Sequence, residues 1–224
     1  MKDIELILTD DGSHSLRRKD LDETYHSTHG AIRESEYVFI QQGLQYIIEH
    51  ANASTLEILE VGFGTGLNAF LTALHMMGQK INCLYTTLEP FPLTPQITQA
   101  LNYPVERGHA GIFNKIHRVA WETDCPIHSR FGLHKKGTTL QDVLLDNDRY
   151  HLVYFDAFAP SRQLDIWHPL LLKKVFRSMK NGGALVTYSA RGQLKRDLRA
   201  VGFEVETLPG PPPKIQMVRA LRIS

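Results

Sequence analysis

The chain has 224 residues, a net charge of +1, 42% hydrophobic and 22% charged residues. That length and composition fit one soluble α/β domain with room for a small appendage, and they allow a sizeable core. The near-zero charge gives no overall attraction for nucleic acid, so any such contact must be local. Two cysteines, Cys83 and Cys125, are too few for a disulfide framework or a cysteine zinc site. The N-terminus turns acidic and polar too soon for a signal peptide, and no apolar run is long enough to span a bilayer. The expected location is the cytoplasm.

In chain order, Ile4 to Thr9 alternates as a strand, Asp11-Gly12 is a hairpin turn, and Ser13 to Arg18 is the return strand. After an irregular polar stretch, Tyr37 to Glu49 has helical spacing through Tyr37, Ile40, Leu44 and Ile47. Strand and helix then alternate. Leu56 to Val61 is a strand and Leu67 to Met77 a helix. Ile81 to Leu88 is a strand, and residues 93–122 are mostly helical with a break near Pro104. Ile127 to Leu133 is a strand, Leu140 to Leu145 a short helix, and His151 to Phe155 a strand. Ile166 to Met179 is a helix stopped by Asn181-Gly182-Gly183. Ala184 to Tyr188 is a strand and Gln193 to Val201 a helix. Phe203 to Leu208 and Ile215 to Ile223 are strands joined by GPPPK. That link is too short for a crossover helix, so this pair is expected to be antiparallel. The expected fold is α/β: a mostly parallel sheet of five strands ending in an antiparallel pair, with helices on both faces. Residues 1–53 form a hairpin-and-helix appendage, and residues 54–224 the main domain.

The segment Glu57 to Asn68, EILEVGFGTGLN, carries the first chemistry. Gly62, Gly64 and Gly66 can take φ > 0 and admit a ligand close to the backbone. A dinucleotide fingerprint needs its third glycine at Leu67, so that cofactor is disfavoured. The G-x-G-x-G pattern after Glu60 is similar to the first motif of S-adenosylmethionine-dependent methyltransferases. Ligands in open parallel sheets bind beyond the strand carboxyl ends, where Glu60, Glu89 and Asp156 all stand. Glu60 is expected to meet the ammonium of a bound methionine moiety, and Glu89 the ribose hydroxyls. Phe63 lines the adenosyl site or packs in the core, and Asn68 opens the next helix or meets the cofactor. Thr138 or Thr139 stands where an adenine partner is expected, with a helix N-cap as the competing role.

The second motif is DAFAP, Asp156 to Pro160, followed by DIWHP. An acid at the mouth of the fourth strand can orient an amine and take its proton. Phe158 can stack on a flat base; Trp167 is a lid or a core residue. His26 and His29 share a loop at metal-compatible spacing but lack further ligands, so no metal is expected. The basic residues of the last two helices are explained by solvated faces and the helix dipole as readily as by RNA. Lys214, beside the prolines, is the better candidate for a phosphate contact.

Taken together, YHSTHGAIRESEYVFI, LEVGFGTGLN, DAFAPSRQLDIWHP and GPPPKIQM resemble the methyltransferase part of the bacterial tRNA 5-methylaminomethyl-2-thiouridine biosynthesis enzymes. The resemblance runs over nearly the whole chain. It implies a class I methyltransferase fold and methyl transfer from S-adenosylmethionine to the exocyclic amine of 5-aminomethyl-(2-thio)uridine at the tRNA wobble position. It further implies Gly62, Gly64, Gly66 and Glu89 as cofactor ligands and Asp156 as the catalytic acid. Tyr25, Glu34, Phe158, Pro160 and Lys214 fall on the substrate side. The familiar bifunctional protein carries a fused flavin-dependent domain; this sequence stops at Ser224, which reads as a stand-alone methyltransferase without flavin. Two departures stand out. Thr138 replaces an acid, and KIQM replaces a terminal K-R-E-M. A transferase acting on a small amine, such as a polyamine synthase, and a non-catalytic cofactor-binding protein are the competing readings.

Overall fold

The computed structural model describes residues 4–223. Strands β1 (Ile4–Leu8), β2 (His14–Arg18) and the short β3 (Glu23–Thr24) form a three-stranded antiparallel sheet. The expected hairpin is present; β3 extends it. Asp11 organises its turn. One carboxylate oxygen accepts from Thr9 Oγ1 (2.8 Å) and Ser13 N (3.0 Å), the other from Arg33 N (2.9 Å). Helix α1 (Ala31–Ser35) passes through a π-helical stretch, Glu36–Gln45, into α2 (Tyr46–His50). The helix therefore starts earlier than its apolar spacing implied. Its buried face, Val38, Phe39, Ile40, Gly43, Leu44 and Ile47, packs on the sheet.

The main sheet has eight strands in the order β10-β11-β9-β8-β4-β5-β7-β6. Its centre is parallel: β4 (Thr55–Val61) pairs with β5 (Asn82–Leu88) and β8 (Tyr150–Phe155). β7 (Phe131–Lys136) and β9 (Met179–Thr187) complete the five parallel strands. β10 (Glu204–Pro209) and β11 (Gln216–Leu221) are antiparallel, as the short prolyl link required. Helix α3 (Leu67–Met77) has the expected bounds, and α8 (Gly192–Val201) begins one residue early.

Four details differ from the sequence reading. The single strand expected over 127–133 is a hairpin, β6 (Asp124–His128) against β7, because Ser129-Arg130 turns the chain. Pro104 does not break a helix. It sits in the first turn of α5 (Tyr103–Arg107), where it leaves no bond unmade, and the breaks fall on either side between α4 (Pro95–Ala100) and α6 (Ala110–Arg118). No helix forms over 140–145; Thr139 Oγ1 accepts from Asp142 N (3.1 Å) and closes one turn that goes no further. The helix expected over 166–179 is a 3₁₀ turn, Leu164–Trp167, followed by α7 (Pro169–Ser178). The chain enters β9 at once, and Asn181-Gly182-Gly183 is an irregularity inside that strand rather than a helix stop.

One apolar core lies under the first helix and α3. It joins Leu16, Ile32, Phe39 and Leu44 to Ile58, Phe70, Tyr85 and Tyr154. A second, on the opposite face, joins Leu59, Val153 and Leu185 to Trp167, Val175 and Leu198. Among the described residues no helix is long and apolar enough to cross a membrane.

Gly43 sets the approach of the first helix to the sheet. A Cβ there would lie 2.9 Å from Val186 Cγ2 and 3.3 Å from the Tyr154 ring. Gly43→Val is expected to destabilise the protein by about 1–3 kcal/mol through overpacking, read as a lower urea midpoint with an unchanged slope.

Candidate active site

The turn after β4 is built from backbone conformations that side chains disfavour. Gly62, Gly64 and Gly66 have φ of 98°, 48° and 73°. Gly62 N–H donates to Leu88 O (3.1 Å), and Gly66 N–H to Phe63 O (2.8 Å). A Cβ on Gly62 would stand 2.5 Å from the carbonyl oxygen of Asp156. One on Gly64 would stand 3.0 Å from the Tyr25 ring. The turn thus threads between the end of β8 and an aromatic ring from the N-terminal sheet. Glu89, at the end of β5, ties it to the next loop: Gly64 N–H donates to Oε2 (3.1 Å) and Phe91 N–H to Oε1 (2.9 Å).

A cavity of about 580 Å³ opens beside this turn at the carboxyl ends of the parallel strands. That volume lies in the range of small-molecule and cofactor sites. Its floor holds Gly62, Gly64 and Asn68; Glu89 and Thr138 line one end, Asp156 and Tyr188 the other. Tyr25 and Phe158 form a wall, their rings edge to face with centroids 5.1 Å apart. The Arg18 guanidinium stands 5.7 Å from the Phe158 ring centroid and is held by Asp20 through an Nε–H bond of 2.7 Å. Trp167 is core, as one of its two expected roles had it: it is 4% exposed, and its indole N–H donates to Phe158 O (2.9 Å), which fixes the loop after Asp156.

Asp156 Oδ2 accepts from Asn68 Nδ2 (2.8 Å). Burial pushes the Asp156 carboxyl up to about 7, and the negative charge of Glu34 adds to this; the Asn68 hydrogen bond and the Lys214 charge oppose it. Burial likewise pushes the Tyr25 phenol up to about 12 and holds His26 down at about 4, so both are neutral near pH 7.

Of the residues expected from sequence, Tyr25, Gly62, Phe63, Gly64, Asn68, Glu89, Thr138, Asp156 and Phe158 all line this cavity. Five others do not. Glu60 is fully buried under the turn, where Thr87 Oγ1 donates to its Oε2 (2.7 Å); burial pushes its carboxyl up to about 8. It lies outside the cavity lining, because β4 turns that side chain into the sheet's core-facing side. Gly66 packs against His117 and Phe63 at the start of α3 and serves the turn rather than the ligand face. Glu34 is buried, accepts from Ser27 N (2.8 Å) and pairs with Lys214. Lys214 is paired with Glu34 and stands 4.2 Å from the Tyr188 ring centroid. Pro160 lies on the half-buried loop beyond the wall. Phe63 faces two ways, since it also packs on Trp121, centroid to centroid 6.0 Å.

Arg18 and Tyr188 are cavity residues the sequence reading passed over. Tyr188 follows β9, the fifth parallel strand, so its strand-end position was a usable signal. Arg18 reaches the site only because the N-terminal sheet docks there, which no local pattern encodes. Among the described residues no group of three or more His, Cys, Asp or Glu is placed to hold a metal ion.

The glycine cradle, the strand-end acids and the cavity stand beside a match in sequence: residues 113–223, about half of the chain, match the family described as S-adenosyl-L-methionine-dependent methyltransferase, which supports S-adenosylmethionine as the cofactor. Among curated proteins it is 30% identical over 228 residues to the tRNA 5-methylaminomethyl-2-thiouridine biosynthesis bifunctional protein MnmC of Pseudoalteromonas atlantica, covering 89% of this chain and 31% of that one. The protein of that name from Cupriavidus metallidurans is 28% identical, over 92% of this chain and 32% of its own. The chain thus spans about a third of the length of the curated relatives it matches. Among solved structures, MNMC2 from Aquifex aeolicus matches all of this chain and 72% of its own at 25% identity and a TM-score of 0.79. Spermidine synthase from Thermotoga maritima, at 10% identity, 95% and 69% coverage and a TM-score of 0.53, shares the fold.

The residues present fit the cofactor: Gly62, Gly64, Asn68 and Glu89 line one cavity at the strand carboxyl ends, and a Cβ at Gly62 or Gly64 would displace Asp156 or Tyr25 from it. Gly62→Ala is expected to weaken S-adenosylmethionine binding at least about tenfold, because the methyl group strains φ and pushes Asp156 aside. Isothermal titration calorimetry checks this; an unchanged affinity would separate the turn from cofactor binding.

Proposed function

We propose that this chain transfers the methyl group of S-adenosylmethionine to the exocyclic amine of 5-aminomethyl-(2-thio)uridine at the tRNA wobble position, giving 5-methylaminomethyl-(2-thio)uridine. The observation that carries the reading is the placement of Asp156. It stands beside the glycine turn, next to an aromatic wall, in a protein related over nearly its whole length to tRNA 5-methylaminomethyl-2-thiouridine biosynthesis proteins. When bound, S-adenosylmethionine supplies a methyl group on a positively charged sulfur, which an amine lone pair takes in line as the sulfur leaves with the bonding electrons.

The protein's residues do the rest. Asn68 occupies Asp156 Oδ2, which leaves Oδ1 to accept a hydrogen bond from the amine. That bond orients the nitrogen lone pair, and the carboxylate stabilises the positive charge that develops on nitrogen before taking its proton. Phe158 offers a flat face to the uracil ring, with Tyr25 packed edge-on behind it. Gly62, Gly64 and Glu89 hold the cofactor, with Asn68, Phe63 and Thr138 around it. Methyl transfer requires neither a metal nor a flavin. We read residues 1–53 as an appendage that supplies one cavity wall and residues 54–224 as the methyltransferase domain, acting in the cytoplasm, where tRNA is modified.

Labelled methyl transfer to tRNA carrying the aminomethyl base, with none to free polyamines, is the expected result; the reverse would favour a small-amine transferase. Asp156→Ala is expected to lower kcat/KM by about 10²–10⁴.

The pH dependence has a definite sign. A carboxyl raised to about 7 is protonated below that pH and cannot accept the amine proton. Wild-type kcat/KM should therefore rise with pH through about 7, and Asp156→Asn should remove that rise while leaving a later one from titration of the amine itself. A wild-type profile flat from pH 6 to about 8 would refute the role given to Asp156.

A further inference from the structure

Beneath Asp156 lies a set of buried polar atoms that the cofactor and substrate sites leave unexplained. Glu60 is 0% exposed and Asn68 3%. Each has one partnered atom: Glu60 Oε2 accepts from Thr87 (2.7 Å), and Asn68 Nδ2 donates to Asp156 Oδ2 (2.8 Å). The other atom of each, Glu60 Oε1 and Asn68 Oδ1, is buried without a hydrogen-bond partner, and so is the hydroxyl of Tyr85. The Asn68 and Tyr85 side chains both reach the Glu60 carboxyl as hydrogen-bonding groups, each opposing the upward push of burial. Two bare acceptors and a bare hydroxyl therefore meet around one carboxyl group. Left unpaired, such buried polar atoms are costly.

One proton resolves the set. We propose that Glu60 is a neutral positioning residue that carries its proton on Oε1 and donates it to Asn68 Oδ1, fixing the amide so that Nδ2 always faces Asp156. Tyr85 then donates to the same carboxyl from the far side. The donors run in one direction, from Tyr85 to Glu60, to Asn68, to Asp156. An ionised Glu60 would set a carboxylate against Asn68 Oδ1 and favour the flipped amide, which would present an oxygen to Asp156 and repel it. The titratable groups facing Glu60 are Tyr85 from β5, Tyr154 from β8 and Asp156 beyond β8; none of these is a cation. The Glu60 carboxyl, pushed up to about 8 mainly by burial, agrees with this arrangement.

The proposal rests on methyl transfer at Asp156, so its test combines a readout of turnover with one that is independent of it. In infrared spectra of the full chain near pH 7, wild type and Asp156→Asn, which removes the other raised carboxyl, should both show the carbonyl band of a protonated carboxylic acid, and adding Glu60→Gln to Asp156→Asn should abolish it. Absence of that band in wild type overturns the proposal whatever the substrate is. In methyl-transfer assays, Glu60→Leu should lower kcat about 10- to 100-fold, the scale of other supporting-residue losses. Its S-adenosylmethionine affinity should stay within about threefold of wild type in calorimetry. Glu60→Gln, whose amide can donate to Asn68 while its oxygen accepts from Thr87, should recover most of the lost kcat. A Glu60→Gln variant as slow as Glu60→Leu, or a loss confined to cofactor affinity, would overturn the role. Asn68→Ala should be as slow as its double variant with Glu60→Leu, since the two act through one contact; additive losses would overturn the coupling. Should wild type methylate no tRNA, the function proposed above fails, while the infrared result still decides the state of Glu60.

Discussion

The structure depends on one close approach, that of Gly62 to the end of β8. β4 and β8 pair in parallel with Val61 opposite Phe155, and Asp156 N–H donates to Val61 O (3.0 Å). The two chains leave the sheet side by side at the same level. Any side chain at Gly62 would have to occupy the space of the Asp156 carbonyl. The missing Cβ lets the glycine turn and the strand-end acid stand side by side in the cavity, both carried at the ends of adjacent strands. A rigid base of this kind limits the misplacement that costs rate when reacting groups are a fraction of an ångström apart.

Placing three carboxyls around that point has an electrostatic consequence. Glu34 and Glu60 are buried near Asp156, and the Lys214 ammonium, paired with Glu34, acts on Asp156 but not on Glu60. In a low-dielectric setting several like charges are not all sustained, and the buried members hold protons instead. Glu60 gives up its charge, and Asp156 is left near the pH at which it can change state. An acid in that condition suits a proton that must be accepted once per turnover and released again.

Much of this was legible in the chain. The apolar run Leu56 to Val61, the alternate glycines and the matching helix limits of Leu67 to Met77 followed from period and propensity alone. The antiparallel final pair followed from the length of GPPPK. Glu89 and Asp156 were findable as acids closing parallel strands. What was not legible depended on which way a side chain turns or on what packs from afar. Glu60 also closes a strand, but its carboxyl turns inward to Thr87, a choice settled by the pleat and its neighbours. Lys214 reads as a free cation until Glu34, far away in sequence, is brought to it. The π-helical stretch and the hairpin over 124–136 replace shorter elements because tertiary packing overrides local period.

The N-terminal sheet shows why position in the chain is a poor guide to the wall of the site. Ser15 meets the His26 ring at 3.2 Å, and Tyr25 N–H donates to Leu16 O (2.8 Å), so the loop carrying Tyr25 is pinned to the hairpin. The hairpin is pinned in turn to the first helix through Asp11 and Arg33. Tyr25 can then lie over Gly64 only because Gly64 has no side chain. Tyr25 and Phe158 meet edge to face at 5.1 Å, which makes them one continuous wall and leaves no slot between them for a base. Arg18 stands over the Phe158 ring, so on the function proposed above a flat substrate ring would lie against Phe158 on the face that Arg18 leaves open. The appendage thereby supplies, through Arg18 and Tyr25, a cavity wall that the parallel sheet alone lacks.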